Sequence, residues 1–126
     1  MHALVIDDSK SIRSILTQIL VSLGFNVFQA ENGLEALKVL KKQNVDLALV
    51  DWNMPEMDGY EFIKEVRKDN TCKKMLLVMV STETALNKVT KALEVGADEY
   101  IMKPFTKEMI VEKLALIGIN IPGTSK

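Results

Sequence analysis

Val50-Asp51-Trp52-Asn53-Met54-Pro55-Glu56-Met57-Asp58-Gly59 joins a buried strand to a helix, and its first acid is the residue around which the chain is organised. The run before it, Val45-Asp46-Leu47-Ala48-Leu49-Val50, is short and apolar, the pattern of a strand covered on both faces. Pro55 cannot donate to a sheet ladder, so the strand ends before it. Asp58 with Glu61 three residues on forms a capping pair that opens a helix at about Gly59. Asp51 therefore stands at the carboxyl end of a buried strand, where a carboxylate is costly unless a cation, a metal or several hydrogen bonds meet it.

The same sequence of strand, polar stop and helix recurs on either side. Upstream, Ala3 to Ile6 is apolar and stops at Asp7-Asp8. Ser9 is an N-cap, Ile12, Ile15, Leu16, Ile19, Leu20 and Leu23 follow at helical spacing, and Gly24 closes the helix. Asn26 to Ala30 reads as a strand, and the Asn32/Glu35 pair caps a helix with Leu34, Leu37 and Leu40 as its apolar stripe, ending at Lys41-Lys42-Gln43-Asn44. The central helix turns Phe62, Ile63 and Val66 inward and ends near Lys68-Asp69-Asn70. Downstream, Met75 to Val80 is the longest apolar run, a central parallel strand that stops at Ser81-Thr82. A helix with Leu86, Val89 and Leu93 on one face is closed by Gly96. Glu99 to Met102 is a fifth strand stopped by Lys103-Pro104, and Thr106 caps a last helix carrying Met109, Ile110, Leu114 and Ile117. The boundaries expected are one domain over residues 1–118 and a short polar tail over 119–126.

Five strands alternating with five helices predict a single α/β domain, (βα)5, with a parallel five-stranded sheet and helices on both faces. At 126 residues the chain has room for one core. A formal net charge of -1 gives no general attraction to nucleic acid or an anionic membrane. One cysteine, Cys72, cannot close an internal disulfide, and with a single histidine, His2, no Cys/His metal cluster can form. There is no basic, then apolar, leader at the amino terminus and no apolar run of spanning length, so the expectation is a cytoplasmic, monomeric protein.

Parallel sheets place their ligands beyond the carboxyl ends of the strands. Asp7-Asp8, Asp51, Ser81-Thr82 and Lys103 each follow a strand directly, so all four groups gather at one edge. Three carboxylates brought that close repel unless a cation compensates, and Mg²⁺, which prefers oxygen ligands and keeps several waters, suits an open acidic pocket. With Lys103 as a fixed positive charge and Ser81 as a hydroxyl donor, the set can hold a phosphoryl group while a carboxylate attacks it.

Together, Asp7-Asp8, Asp51-Trp52-Asn53-Met54-Pro55 with Met57-Asp58-Gly59, Ser81, Tyr100 and Lys103-Pro104-Phe105 resemble the receiver domain of two-component response regulators, in the single-domain chemotaxis form. The resemblance covers about residues 2 to 117. It implies a flavodoxin-like fold with strand order 2-1-3-4-5. It also implies that Asp51 is the phospho-acceptor of a sensor histidine kinase of the chemotaxis type. Mg²⁺ would be bound by the side chains of Asp8 and Asp51, by the Asn53 carbonyl and by Asp7 through water. Ser81 and Lys103 would contact the phosphoryl oxygens, and the bond from Lys103 to Pro104 is often cis in such domains. Ser81 and Tyr100 would switch the face made by the fourth helix, fifth strand and fifth helix towards a flagellar motor switch protein or another output target. Asn53 and Glu83 would influence acyl-phosphate hydrolysis, beside an auxiliary phosphatase. Such a protein is a signalling phospho-acceptor and not an enzyme.

Taken singly, each of these residues has a structural explanation. Asp8-Ser9 can cap a helix, Ser81-Thr82 can serve a turn, and Tyr100 can simply pack on an edge strand. Their joint placement at four strand ends is what favours chemistry. An FMN carrier of the same fold requires a Ser/Thr/Gly-rich phosphate loop where this chain has Asp7-Asp8, and an aspartyl phosphohydrolase needs a second acid where Asn53 stands. The remaining alternatives are a receiver that controls a different partner or acts as a phosphate sink, and a phosphorylation-independent binding module. Trp52 is placed either as a wedge against the loop or as a reporter on the site.

Overall fold

The computed structural model describes residues 1–120. Five strands, β1 (His2–Ile6), β2 (Asn26–Ala30), β3 (Leu47–Val50), β4 (Leu76–Ser81) and β5 (Glu99–Met102), alternate with α1 (Lys10–Ser22), α2 (Gly33–Lys42), α3 (Gly59–Lys68), α4 (Leu86–Val95) and α5 (Lys107–Leu116). All pairings are parallel and the order is β2-β1-β3-β4-β5, as the resemblance implied. The order in which strands are added reverses between β1 and β3, so the carboxyl ends of these two strands open onto one crevice.

Alternation along each strand builds two cores. Leu4, Ile6, Ala48, Val50, Leu77 and Met79 face Ala36, Phe62, Ile63, Val66 and Ala92 of α2, α3 and α4. Ala3, Val5, Leu47, Leu49, Val78 and Val80 face Leu16, Leu20, Ile110 and Leu114 of α1 and α5. Because β1, β3 and β4 are covered twice, their sequences read as continuous apolar runs. The expected caps form: Ser9, Asn32, Asp58 and Thr106 each accept from a first-turn amide, and Asp58 with Glu61 makes a reciprocal capping box.

Several apolar stripes sit differently from their expected faces. Ile15 and Leu34 are exposed, because α1 and α2 bury faces centred on Leu16 and Leu20 and on Gly33 and Ala36. Leu86, 80% exposed, and Leu93 likewise turn outward on α4, whose only fully buried residue is Ala92. A small residue lets this helix lie close to the sheet and leaves its larger side chains at the rim. Strand β4 runs one residue further than its apolar run and takes in Ser81. Ile119 is buried beneath α5, and its amide donates to the Leu114 carbonyl at 2.9 Å. Residues 121–126 of the expected tail lie outside the described residues. Among the described residues no helix is long and apolar enough to cross a membrane.

Candidate functional site

Asp51 leaves β3 with its amide bonded to the Ile6 carbonyl at 2.9 Å, so its position is fixed by the sheet itself. Gly59 then brings α3 hard against it. The Gly59 amide donates to the Trp52 carbonyl at 2.8 Å, and a Cβ on Gly59 would collide with the Asp51 carbonyl. That close approach, which only glycine permits, was not legible from the motif, where Gly59 reads simply as a helix start. Between the two, the Met57 amide bonds to the Pro55 carbonyl at 2.7 Å around Glu56 at φ +68°, a tight γ-turn that folds the loop back from the site.

Asp7 ends up almost fully buried, at 1% exposure, yet its polar atoms are satisfied. Its amide donates to the Ala30 carbonyl at 3.1 Å, Oδ1 accepts from the Ser9 amide at 2.9 Å, and Oδ2 accepts from Lys103 Nζ at 2.9 Å. Lys103 Nζ also reaches Asp51 Oδ1 at 3.3 Å. One ammonium thus bridges two acids at the ends of neighbouring strands, and the Lys103-Pro104 peptide that presents it is cis. Asp8 is exposed at the mouth. Carboxylate oxygens of Asp7, Asp8 and Asp51 all lie within 4.8 Å of one another.

The charge balance of this pocket is unfavourable on its own residues alone. Burial first, and then the charge of Asp7, push Asp51 up to about 6 from the usual carboxylate value of 3.8, although Lys103 pulls the other way. For Lys103, burial alone would favour the neutral amine. The hydrogen bond to Asp7 and the charges of Asp51 and Asp7 outweigh it, and its pKa lies above the ordinary lysine value. One cation faces three acids, and the charges of Asp7 and Asp8 add to the burial that raises Asp51. A small divalent ion with oxygen ligands would supply the missing charge, so the residues present fit Mg²⁺.

The remaining expected residues surround this centre. Ser81 is fully buried at the end of β4, its hydroxyl accepting from the Glu83 amide at 3.1 Å, while Thr82 is exposed. Tyr100 is buried, and its hydroxyl donates to the Glu83 carbonyl at 2.7 Å, which ties β5 to the β4–α4 loop. Burial raises its phenol above the ordinary value. Asn53 is exposed and its Nδ2 donates to Glu83 Oε2 at 3.2 Å, linking the loops after β3 and β4. Trp52 is buried, stacked on Tyr60 at 5.9 Å between centroids, with Lys88 of α4 5.0 Å from its ring. Sequence reasoning offered Trp52 either as a loop wedge or as a reporter on the site and missed Lys88, because a cation over a ring has no signature in linear spacing.

The sequence pattern of the response regulator receiver domain matches residues 3–115. Chemotaxis protein CheY1 of Helicobacter pylori is 41% identical over 123 residues, which are 95% of this chain and 99% of that protein. The structure of chemotaxis protein CheY4 of Vibrio cholerae superposes with a TM-score of 0.87 at 36% identity, covering 92% of this chain and 97% of that one. A response regulator of Burkholderia pseudomallei, solved with a phosphorylated aspartic acid, a calcium ion and citrate, gives a TM-score of 0.82 at 26% identity over 90% of this chain and 65% of that one.

Proposed function

Because the chain belongs to the receiver-domain family of response regulators, in its CheY-type chemotaxis branch, we propose that Asp51 accepts a phosphoryl group from the phosphohistidine of a sensor histidine kinase. The observation that carries this is the Asp51 carboxylate, 8% exposed, clustered with Asp7 and Asp8 and bridged to Asp7 by Lys103. A phosphorylated aspartic acid and a divalent ion in the Burkholderia pseudomallei relative support the same chemistry here.

Asp8 and Asp51 would hold Mg²⁺ by their side chains, with the Asn53 carbonyl and, through water, Asp7. When bound, the ion offsets the charge of the acids and of the incoming phosphoryl oxygens. The ionised Asp51 oxygen attacks phosphorus, a P–O bond forms as the P–N bond breaks, and the imidazole leaves with the bonding electron pair. No general base is required, because the nucleophile carries its charge already. Lys103 stays in reach of Asp51 and moves its ammonium towards the new phosphoryl oxygens. Ser81 gives up its contact with the Glu83 amide to donate to them.

The signal is a population shift. Ser81 and Tyr100 both bind Glu83, at its amide and its carbonyl, so recruitment of Ser81 to the phosphoryl group biases the loop that Tyr100 holds. The face of α4, β5 and α5 then changes for its target, a flagellar motor switch protein by likeness to the chemotaxis relatives. Leu86, standing out from the first turn of α4, makes that face more apolar and leaves room for a different output target. The Asn53–Glu83 bridge lies over the site and would influence acyl-phosphate lifetime, with or without an auxiliary phosphatase. The protein works in the cytoplasm as a monomer.

A purified chemotaxis histidine kinase carrying labelled phosphohistidine tests the proposal. Label should leave the kinase and appear on this chain only with Mg²⁺ present and not on Asp51→Asn. Label that stays on the kinase, across kinases able to phosphorylate a control receiver, would contradict it.

A further inference from the structure

We infer that Arg13 is a positioning residue for the acid pocket: its guanidinium clamps the main-chain carbonyl of Asp7, and so sets the Asp7-Asp8 peptide and the direction of the Asp8 carboxylate. The inference rests on the reading of Asp8 and Asp51 as Mg²⁺ ligands.

Arg13 lies in the first turn of α1, its amide bonded to the Ser9 carbonyl, so its side chain returns over the Asp7-Asp8-Ser9 turn. Nη1 donates to the Asp7 carbonyl at 2.7 Å, a short, charge-assisted bond. Nε donates to Gln29 Oε1 on β2 at 3.2 Å, which anchors the other side of the guanidinium to the neighbouring strand. Asp7 is already held at its amide by Ala30 and at its two carboxylate oxygens by Ser9 and Lys103. Its carbonyl is the remaining polar group, and the plane of the peptide it shares with Asp8 turns with it. Without Arg13 that carbonyl loses its donor and the peptide is free to rotate, which loosens the Ser9 amide while Ala30 and Lys103 still anchor Asp7. The cost falls on Asp8, which is exposed and depends on the main chain for its aim.

A purely electrostatic role predicts the opposite result. A cation beside the pocket repels a divalent ion, so its removal would tighten Mg²⁺ binding. Calorimetric Mg²⁺ titration of wild type, Arg13→Gln and Arg13→Lys therefore separates the two, with amide exchange at Ser9 measured in the metal-free proteins. The clamp predicts that Arg13→Gln weakens Mg²⁺ by roughly tenfold and accelerates Ser9 exchange. Arg13→Lys should fail to rescue, because one ammonium cannot span both Gln29 and the Asp7 carbonyl as the planar fork does. A role confined to packing of α1 would lower the unfolding midpoint and leave both readouts unchanged. Mg²⁺ affinity equal to or tighter than wild type in Arg13→Gln, full rescue by lysine, or unchanged Ser9 exchange would each overturn the inference. If Arg13→Gln does not fold, Gln29→Thr removes only the anchor and should weaken Mg²⁺ in the same direction; wild-type affinity there overturns it. A wild-type protein that binds no Mg²⁺ overturns the metal reading itself, recognisable because Ser9 exchange still separates the variants.

Discussion

On the proposed reading, Asp51 combines two properties that conflict in the resting protein: it is buried enough to be shielded from water, and it must be ionised to attack. Its elevated value of about 6 means that folding favours the protonated acid. The charged form is therefore penalised in the folded state, with nothing lost at low pH, where both states are protonated, and the full penalty present once pH exceeds the folded value. Asp51→Asn should accordingly be more stable than wild type by about 1–2 kcal/mol at pH 7 to 8, a figure reduced for the partial solvent access of the pocket. The advantage should shrink between pH 6 and 4 and vanish below. Urea unfolding of both proteins across that range without Mg²⁺ checks it, and a pH-independent difference would show that the strain lies elsewhere. Saturating Mg²⁺ should stabilise wild type more than the variant, since binding to the folded protein adds to its stability.

At the scale of elements, the loop from β3 to α3 holds two backbone features that oppose each other. Glu56 sits at positive φ in a γ-turn, a conformation costly for a residue with a side chain. Glu56→Gly should raise stability by about 0.5–1 kcal/mol in denaturant titration, whereas Gly59→Ala should lower it by about 1–3 kcal/mol by driving a methyl into the Asp51 carbonyl. Helix α4 is weakly held at its start: Ala85 at its N-cap offers no side-chain bond, and only Ala92 is fully buried. Ala85→Ser should add about 1 kcal/mol of local stability, read as slower amide exchange confined to the first turn of α4. Much of this architecture was legible in the sequence. The bounds of β2 and β5, the caps at Ser9, Asn32, Asp58 and Thr106, and the gathering of Asp7, Asp8, Asp51 and Lys103 follow from periodicity and punctuation. The outward turn of Ile15, Leu34, Leu86 and Leu93 did not, because a helix with apolar residues on much of its circumference does not declare which of them meets the sheet. Glu56 and Lys88 were silent for a different reason, since both depend on tertiary geometry that no local spacing encodes.

Over the whole molecule the two ends of the sheet do different work. The carboxyl end carries the acids, and the opposite end is held by Arg67 at the end of α3. Its Nε bonds to the Gly96 carbonyl at 2.9 Å, Nη1 to the Met75 carbonyl at 2.9 Å and Nη2 to Asp98 at 2.8 Å. Asp98 Oδ2 in turn accepts from the Leu77 amide at 2.8 Å. One side chain thereby joins α3, the close of α4 and the starts of β4 and β5. Arg67→Met should cost about 2–3 kcal/mol, and a cycle with Asp98→Asn should be clearly non-additive, because the two act on one network. Destabilisation equal to the sum of the single changes would break that link. On the proposed reading, such a fixed base leaves the first turn of α4 and the loops after β3, β4 and β5 as the parts that respond to charge at Asp51.

The central claim is that Asp51 becomes an acyl phosphate in a Mg²⁺-dependent reaction that this chain itself promotes. Intact mass after incubation with acetyl phosphate or phosphoramidate tests it most directly, run with and without Mg²⁺ and beside Asp51→Asn. The account predicts one added phosphoryl group on wild type, removed by omitting Mg²⁺ and absent from the variant. A chain left unlabelled by donors that phosphorylate a control receiver, or labelled equally in Asp51→Asn, would contradict it.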